Sequence, residues 1–234
     1  MTQACLNWGG VGHSIRRYYL DEFQMRYVPR LRAGSAVLDL GGNKIRKRGQ
    51  FNIEHYDVRV VYVNLVTTKR PDVQADAGSL PFRDGCFDAA ICAELLDLVA
   101  DPLKVIRETH RVLRAGGHLL ICVPFLNPIC SDPHAYGRYT DQYWQEQLPA
   151  AGFHVAVLEK QGLYWSTMMD MVRGYVAEGL SGGSIVQRGI HRLLRPLVSL
   201  GKVTAVRWDA HPQVRAHPYL SAFTTGFGIV AVKT

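Results

Sequence analysis

The chain has no uninterrupted apolar run long enough to cross a bilayer. Its five cysteines (Cys5, Cys86, Cys92, Cys122 and Cys130) form no CxxC pair. Cys92 and Cys122 sit inside apolar runs and read as buried thiols, which fits a reducing, cytoplasmic location. No cluster of His, Cys and acids has metal-ligand spacing, so no metal is expected. There is no internal repeat and no low-complexity tract. Residues Met1 to Gly12 lack a basic flank followed by an apolar block, so a signal peptide is not expected. A mean hydropathy near zero and 20% charged residues exclude both a disordered chain and a membrane-spanning one.

What remains suits one α/β domain with a full core: 234 residues, 47% of them hydrophobic. The net charge of +7 permits an anionic partner without choosing among a phosphate-bearing substrate, nucleic acid and an acidic membrane surface.

The organising stretch is Val37-Leu-Asp-Leu-Gly-Gly-Asn43, an apolar strand interrupted by an acid and closed by a sharp turn. The glycines let the backbone approach a ligand, and Asn43 tolerates a left-handed conformation. Residues 13–31 predict an amphipathic helix with Ile15, Tyr18, Tyr19, Phe23 and Tyr27 inward, ended by Pro29. It packs on the sheet or caps a ligand through His13, Arg16 or Tyr18. Strands are predicted at 35–40, 58–66, 73–75, 87–93, 118–124, 153–158 and 221–232, the last in a central position. The basic segment 44–57 predicts only a short or irregular helix. Asp101 and Pro102 start a helix over 102–113, stopped by Gly116-Gly117, and another covers 141–151. The alternation implies a mostly parallel sheet covered on both faces, with ligands beyond the carboxyl ends of the strands.

Four segments in this order resemble the class I S-adenosylmethionine-dependent methyltransferases of the type 11 kind: VLDLGG at 37–42, DAGSLPF at 76–82, FDAAICAELLDLVADP at 87–102 and ETHRVLRAGGHLLICVPF at 108–125. A narrower likeness, in PFLNPICSDPHAYGRYT at 124–140, AGFHV at 151–155 and TTGFGIVAVK at 224–233, is to a subgroup associated with polysaccharide and sugar biosynthesis. The resemblance implies a Rossmann-like seven-stranded sheet with helices on both faces and a helical insertion before the last strand. The chain divides into a helical cap (1–34), a cofactor core (35–159), an acceptor-side insertion (160–218) and a final strand (219–234).

The resemblance also implies roles. Asp39, Gly41, Gly42 and Asn43 would hold the methionine end of S-adenosylmethionine. Asn64 stands where a carboxylate usually meets the ribose diol, a loss of about 1–2 kcal/mol of charge-assisted bonding. Asp76 and the Ala77 N–H would read adenine, with Leu80 or Phe82 packed on it. Glu94 and Leu95 would lie near the sulfonium. An imidazole usual in the next turn is absent, because the run there is Asp97-Leu98-Val99. A hydroxyl acceptor needs a base. His134 is the first candidate and Asp132 the second, with Tyr136, Arg138 and Tyr139 shaping the acceptor site.

The expected acceptor is a small molecule or glycan, most simply a sugar hydroxyl, and an anionic one suits the charge. The alternatives are a natural-product O- or N-methyltransferase and a non-catalytic methyltransferase-like partner, motivated by Asn43, Asn64 and Leu98. Nucleic acid is not favoured, because neither an RNA-binding module nor an Asn/Asp-Pro-Pro-Tyr/Phe motif is present. The aromatic and Met-rich 163–176 suits a lid, an acceptor wall or core. In 185–203, Val186, Ile190, Leu193, Leu194 and Leu197 share a face, with Arg188, His191, Arg192 and Arg195 elsewhere. Such a helix suits packing on the domain, a second copy of the chain in a homodimer, or peripheral contact with an anionic membrane. Gly179 to Gly183 reads as a flexible joint.

Overall fold

A computed structural model describes residues 13–45, 49–129, 134–179 and 184–234. Cys130, Asp132 and most of the expected joint at 179–183 lie outside the described residues.

Seven strands form one sheet in the order β3-β2-β1-β4-β5-β7-β6. They are β1 (Ser35–Leu40), β2 (Val58–Asn64), β3 (Val73–Gln74), β4 (Phe87–Ala93), β5 (Leu113–Pro124), β6 (Phe153–Lys160) and β7 (Gly226–Lys233). All neighbours pair in parallel except β7, which runs antiparallel to β5 and β6. In the centre, Val37 pairs with Val60 and Ala89, and Leu40 with Val63 and Cys92. Side chains alternate between faces. Leu38 and Leu40 join a core with Val105, Ile106, Trp144 and Phe227, under α2 (Pro102–Val112) and α3 (Asp141–Ala150). Val37 joins Leu20, Phe23, Ile91 and Leu120 on the other face, under α1 (Ile15–Tyr27).

Local chemistry explains the elements that match their sequence signals. Asp101 caps α2 by accepting from the Lys104 N–H at 3.0 Å, and Pro102 opens it. Thr140 caps α3. Among its described residues, the segment between β1 and β2 carries a one-turn helix at Ile53–His55, in line with its weak periodicity.

Several bounds differ from expectation, as does the inward face of α1. Gly116-Gly117 does not stop α2, because β5 already begins at Leu113. Gly116, at φ 72°, lies in an irregularity where the pairing of Phe87 and Ala89 changes register. β2 ends at Asn64, two residues early. β7 starts at Gly226 because the Thr224 and Thr225 hydroxyls both bond to the Gln161 carbonyl instead of extending the ladder. The inward face of α1 is Ile15, Arg16, Leu20, Asp21, Phe23 and Gln24. The aromatic rows at Tyr18 and Tyr19 pack sideways, with the Tyr19 hydroxyl 3.1 Å from that of Ser166.

The insertion between β6 and β7 holds α4 (Tyr164–Gly174), extended by a wider turn at Tyr175–Gly179, then α5 (Ile185–Asp209) and α6 (Pro212–Ala216). Two buried carboxylates tie it down. Asp209 accepts from the N–H groups of Leu163, Trp165 and Ser166 at 2.7–3.1 Å, capping α4. Asp170 accepts from those of Ile15 and Arg16 at 2.9 and 3.3 Å, and Ser14 completes the cap of α1. No helix among the described residues is long and apolar enough to cross a membrane.

Lys202 is buried on α5 and donates to the His13 carbonyl at 2.6 Å. Burial, reinforced by Arg173, lowers its pKa from 10.5 to about 8. Between these values the unfolded chain binds more protons than the folded one, so this group makes stability rise with pH across that window. Urea denaturation at about pH 7.5 and about pH 10 should show wild type gaining on Lys202→Met as pH rises. A constant difference would refute the assignment.

Candidate functional site

The turn after β1 is a cradle that a side chain would fill. Gly41 has φ 75°, and its N–H donates to the Val63 carbonyl at 2.8 Å. A Cβ at Gly42 would fall 2.2 Å from Asp39 Oδ2, so only glycine lets the carboxylate fold back under the turn. Leu95 closes the other side, 3.2 Å from where a Cβ of Gly41 would be. Among the described residues, Arg70 and Glu94 are the non-glycine positions at positive φ. Asn43 therefore does not supply the left-handed step; Gly41 does.

Asn64 is committed to this turn. Its amide nitrogen donates to the Gly41 and Gly42 carbonyls at 2.9 and 3.2 Å, and its oxygen accepts from the Val66 N–H at 3.0 Å. The amide that stands where a ribose-binding acid was expected is a brace for the glycine loop.

The end of β4 carries a charged cluster. Glu94 sits at φ 56°, an uncommon conformation for a residue with a side chain. Its carboxylate pairs with Arg16, whose Nε lies 3.0 Å from Oε1. Arg16 is 3% exposed, and its other arm bonds to Gln161 at the end of β6. Asp97 is also buried. One oxygen accepts from Arg138 at 3.1 Å, and the other has no hydrogen-bond partner among the described residues. Burial, and next the charge of Glu94, raise the Asp97 pKa above the ordinary carboxylate value.

Of the remaining predicted residues, Ala77, Leu80, Phe82 and Leu95 belong to or pack against one core cluster, while His134 and Tyr136 lie on the surface. Asp76 Oδ1 accepts from the Gly78 N–H at 2.8 Å and so fixes the turn carrying Ala77. Leu80 is in the main core, and Phe82 stands edge-on to Phe87. His134 and Tyr136 are exposed. The loop behind them is anchored by the Tyr136 N–H donating to the Asp97 carbonyl at 2.7 Å. Of the α1 candidates, Arg16 reaches the strand ends, while His13 contributes its carbonyl to Lys202. Gln161 and Asp170 carried no sequence signal: each acts on a partner more than 140 residues away. Among the described residues no group of three His, Cys, Asp or Glu is placed to hold a metal ion.

A parallel sheet with a single antiparallel strand inserted next to the edge, and a glycine turn after its first strand, matches solved methyltransferases across nearly the whole chain. The geranyl diphosphate C-methyltransferase of Streptomyces coelicolor aligns over 93% of this chain and 80% of its own, with a TM-score of 0.59 at 12% identity. The fold is that of a class I methyltransferase. The cyclase SpnF has it too, with a TM-score of 0.57 at 20% identity, again over 93% and 80%. At such identities the likeness establishes the fold and nothing of the chemistry. In sequence, residues 43–121 match the methyltransferase-domain family. The ubiquinone/menaquinone biosynthesis C-methyltransferase UbiE of Vibrio campbellii is 30% identical over 148 residues, 63% of this chain and 49% of that protein. The chain thus spans about half the length of the curated relatives it matches.

A carboxylate folded under a glycine turn is the chemistry that would hold the ammonium of the methionine end of S-adenosylmethionine, and Asp39 beneath Gly41–Gly42 supplies that group. Because the Asn64 amide donates to two carbonyls, a carboxylate there would face them with no proton to share. Asn64→Asp is therefore expected to weaken S-adenosylhomocysteine binding about tenfold or more by calorimetry, the cost of a lost bond plus an unsatisfied acceptor. Tighter binding by Asn64→Asp would show that the position serves the ribose instead.

Proposed function

We propose that the chain is an S-adenosylmethionine-dependent methyltransferase acting on a small-molecule or glycan acceptor, with a sugar hydroxyl as the acceptor atom. The observation that carries the cofactor reading is the Asp39 carboxylate held beneath Gly41–Gly42, within a segment whose continuation, 43–121, matches the methyltransferase-domain family. Relatives and structural neighbours include C-methyltransferases by name, so the choice of oxygen rests on the narrower likeness at 124–140 and on the site itself.

When bound, the cofactor supplies an electrophilic methyl group for in-line displacement. The chain's own residues align an acceptor and take its proton. Positioning is the larger contribution, up to roughly 7–11 kcal/mol. For the proton we assign Asp97 rather than His134. Its free oxygen is buried beside Glu94 and its pKa is raised, which suits a base working nearer neutrality, whereas the His134 side chain is exposed. Arg138 holds the other oxygen and fixes its direction.

A second reading, a methyltransferase-like protein without activity, draws on one observation: Arg16 and Glu94 neutralise each other where a cationic sulfonium would lie. Calorimetry with S-adenosylmethionine separates the two, since absence of binding would remove the enzymatic reading. Asp97→Asn should keep cofactor affinity within about threefold, while methyl transfer falls about a hundredfold or more, the usual range for a lost general base. The acid limb of the pH–rate profile should vanish with it. Unchanged transfer by Asp97→Asn would exclude Asp97 as the base.

A further inference from the structure

Two acids and two guanidiniums meet at the end of β4. Glu94 pairs with Arg16, and Asp97 with Arg138. They share one field: burial first and then the Glu94 charge push the Asp97 pKa up, while Arg138 and Arg16 pull it down. The four formal charges cancel. The first pair has a direction. The Glu94 side chain is 26% exposed and that of Arg16 4%, so the carboxylate stands on the open side with the guanidinium behind it. Nε and Nη2 of Arg16 both donate to Oε1 of Glu94, and Nη1 donates to Gln161. Held on both arms, the guanidinium is fixed against the acid it neutralises.

The place of this pair beside the glycine turn says what it faces. β4 lies next to β1, and Leu40–Cys92 is the last paired rung between them. Two residues past that rung stand Gly42 after β1 and Glu94 after β4. Leu95 leans on Gly41 from the β4 side. The Cys92 thiol, on the last rung, is pushed up by burial and then by the charges of Asp39 and Asp97. Neighbouring strands stand about 4.8 Å apart. Four bonds separate the ammonium of a methionine chain from its sulfur, a reach of about 5 Å. An ammonium taken by Asp39 therefore lets the sulfur reach the end of β4, beside Glu94. A bare carboxylate there would favour the cationic sulfur of S-adenosylmethionine over the neutral sulfur of S-adenosylhomocysteine. With Arg16 behind it, Glu94 has no net charge to offer.

Given the cofactor reading of the glycine turn, on which this role rests, we propose that Arg16 sets the cofactor selectivity of the site. By cancelling the Glu94 charge, it removes any preference for the cationic sulfur. Calorimetry of the full chain with S-adenosylmethionine and with S-adenosylhomocysteine tests this, read as the ratio of the two dissociation constants. A substitution that only loosens the fold weakens both ligands and leaves the ratio in place. Wild type should bind S-adenosylmethionine no more tightly than S-adenosylhomocysteine. Arg16→Gln bares the Glu94 carboxylate and should move the ratio at least tenfold toward S-adenosylmethionine, the scale of one unit charge several ångströms away at an effective dielectric of about 20. Arg16→Lys keeps the charge and should keep the wild-type ratio. Glu94→Gln leaves the Arg16 charge unmatched and should move the ratio about tenfold the other way, which carries the test should Arg16→Gln not fold. A ratio unmoved by Arg16→Gln and by Glu94→Gln, with both ligands bound, would overturn the role of Arg16 and leave the methyltransferase reading standing. So would a wild-type preference for S-adenosylmethionine of about tenfold or more. Wild type that binds neither ligand would remove the methyltransferase reading and this role with it.

Discussion

One buried guanidinium holds the two halves of this protein in register. Arg16 is taken almost wholly out of water, a transfer that costs several kcal/mol unless the charge is met. It is met on one side by Glu94 at the end of β4 and on the other by Gln161 at the end of β6. Those two positions lie on opposite sides of β5 and β7, so α1 spans the strand ends across which a ligand would lie. The same arginine sits where a Cβ on Gly226 would have to go, 2.7 Å from its Cζ, which makes that glycine part of the clamp. Glu94 accepts a left-handed backbone to reach it. An isolated pair would rarely repay both the desolvation and the strain. Here the surrounding structure fixes both partners before they meet.

That fixing comes from a chain of helix caps. Asp209 on α5 holds the start of α4, Asp170 on α4 holds the start of α1, and the first turn of α1 carries Arg16 to Glu94. Each link satisfies orphan N–H groups at the positive end of a helix with a carboxylate, so each is both a hydrogen-bond and a dipole interaction. The insertion between β6 and β7 is thereby coupled to the strand ends by bonds that do not pass through the sheet.

What the sequence displayed and what it concealed divide along chain distance. The span of β4 was legible to the residue, because its small apolar side chains between a turn and an acid admit few other conformations. α2 was legible because Asp101 and Pro102 mark its start within two residues. The glycine cradle was legible as a motif. Its working parts were not: the left-handed step falls on Gly41 and not on Asn43, and the Asn64 amide braces the loop. Asp170 and Asp209 carried no sequence signal, because their partners lie 155 and 46 residues away. The α5 pattern was read correctly as amphipathic, yet periodicity alone cannot say which of two apolar stripes meets the domain.

The place of β7 has a consequence for how such a chain can change over time. β6 and β7 are hydrogen-bonded neighbours, so everything from Gln161 to Thr225 is topologically one excursion that leaves the sheet and returns to it. Closing an excursion costs entropy that grows only with the logarithm of its length, about 0.6 kcal/mol for each doubling. The helices within it can be lengthened, shortened or exchanged while the strand ladder stays as it is. The constraint on such exchange is a pair of short fittings: a carboxylate to receive α1, and hydroxyl groups to receive the Gln161 carbonyl before β7 begins. A lineage that kept those fittings would be free to rebuild these helices around an unchanged glycine turn.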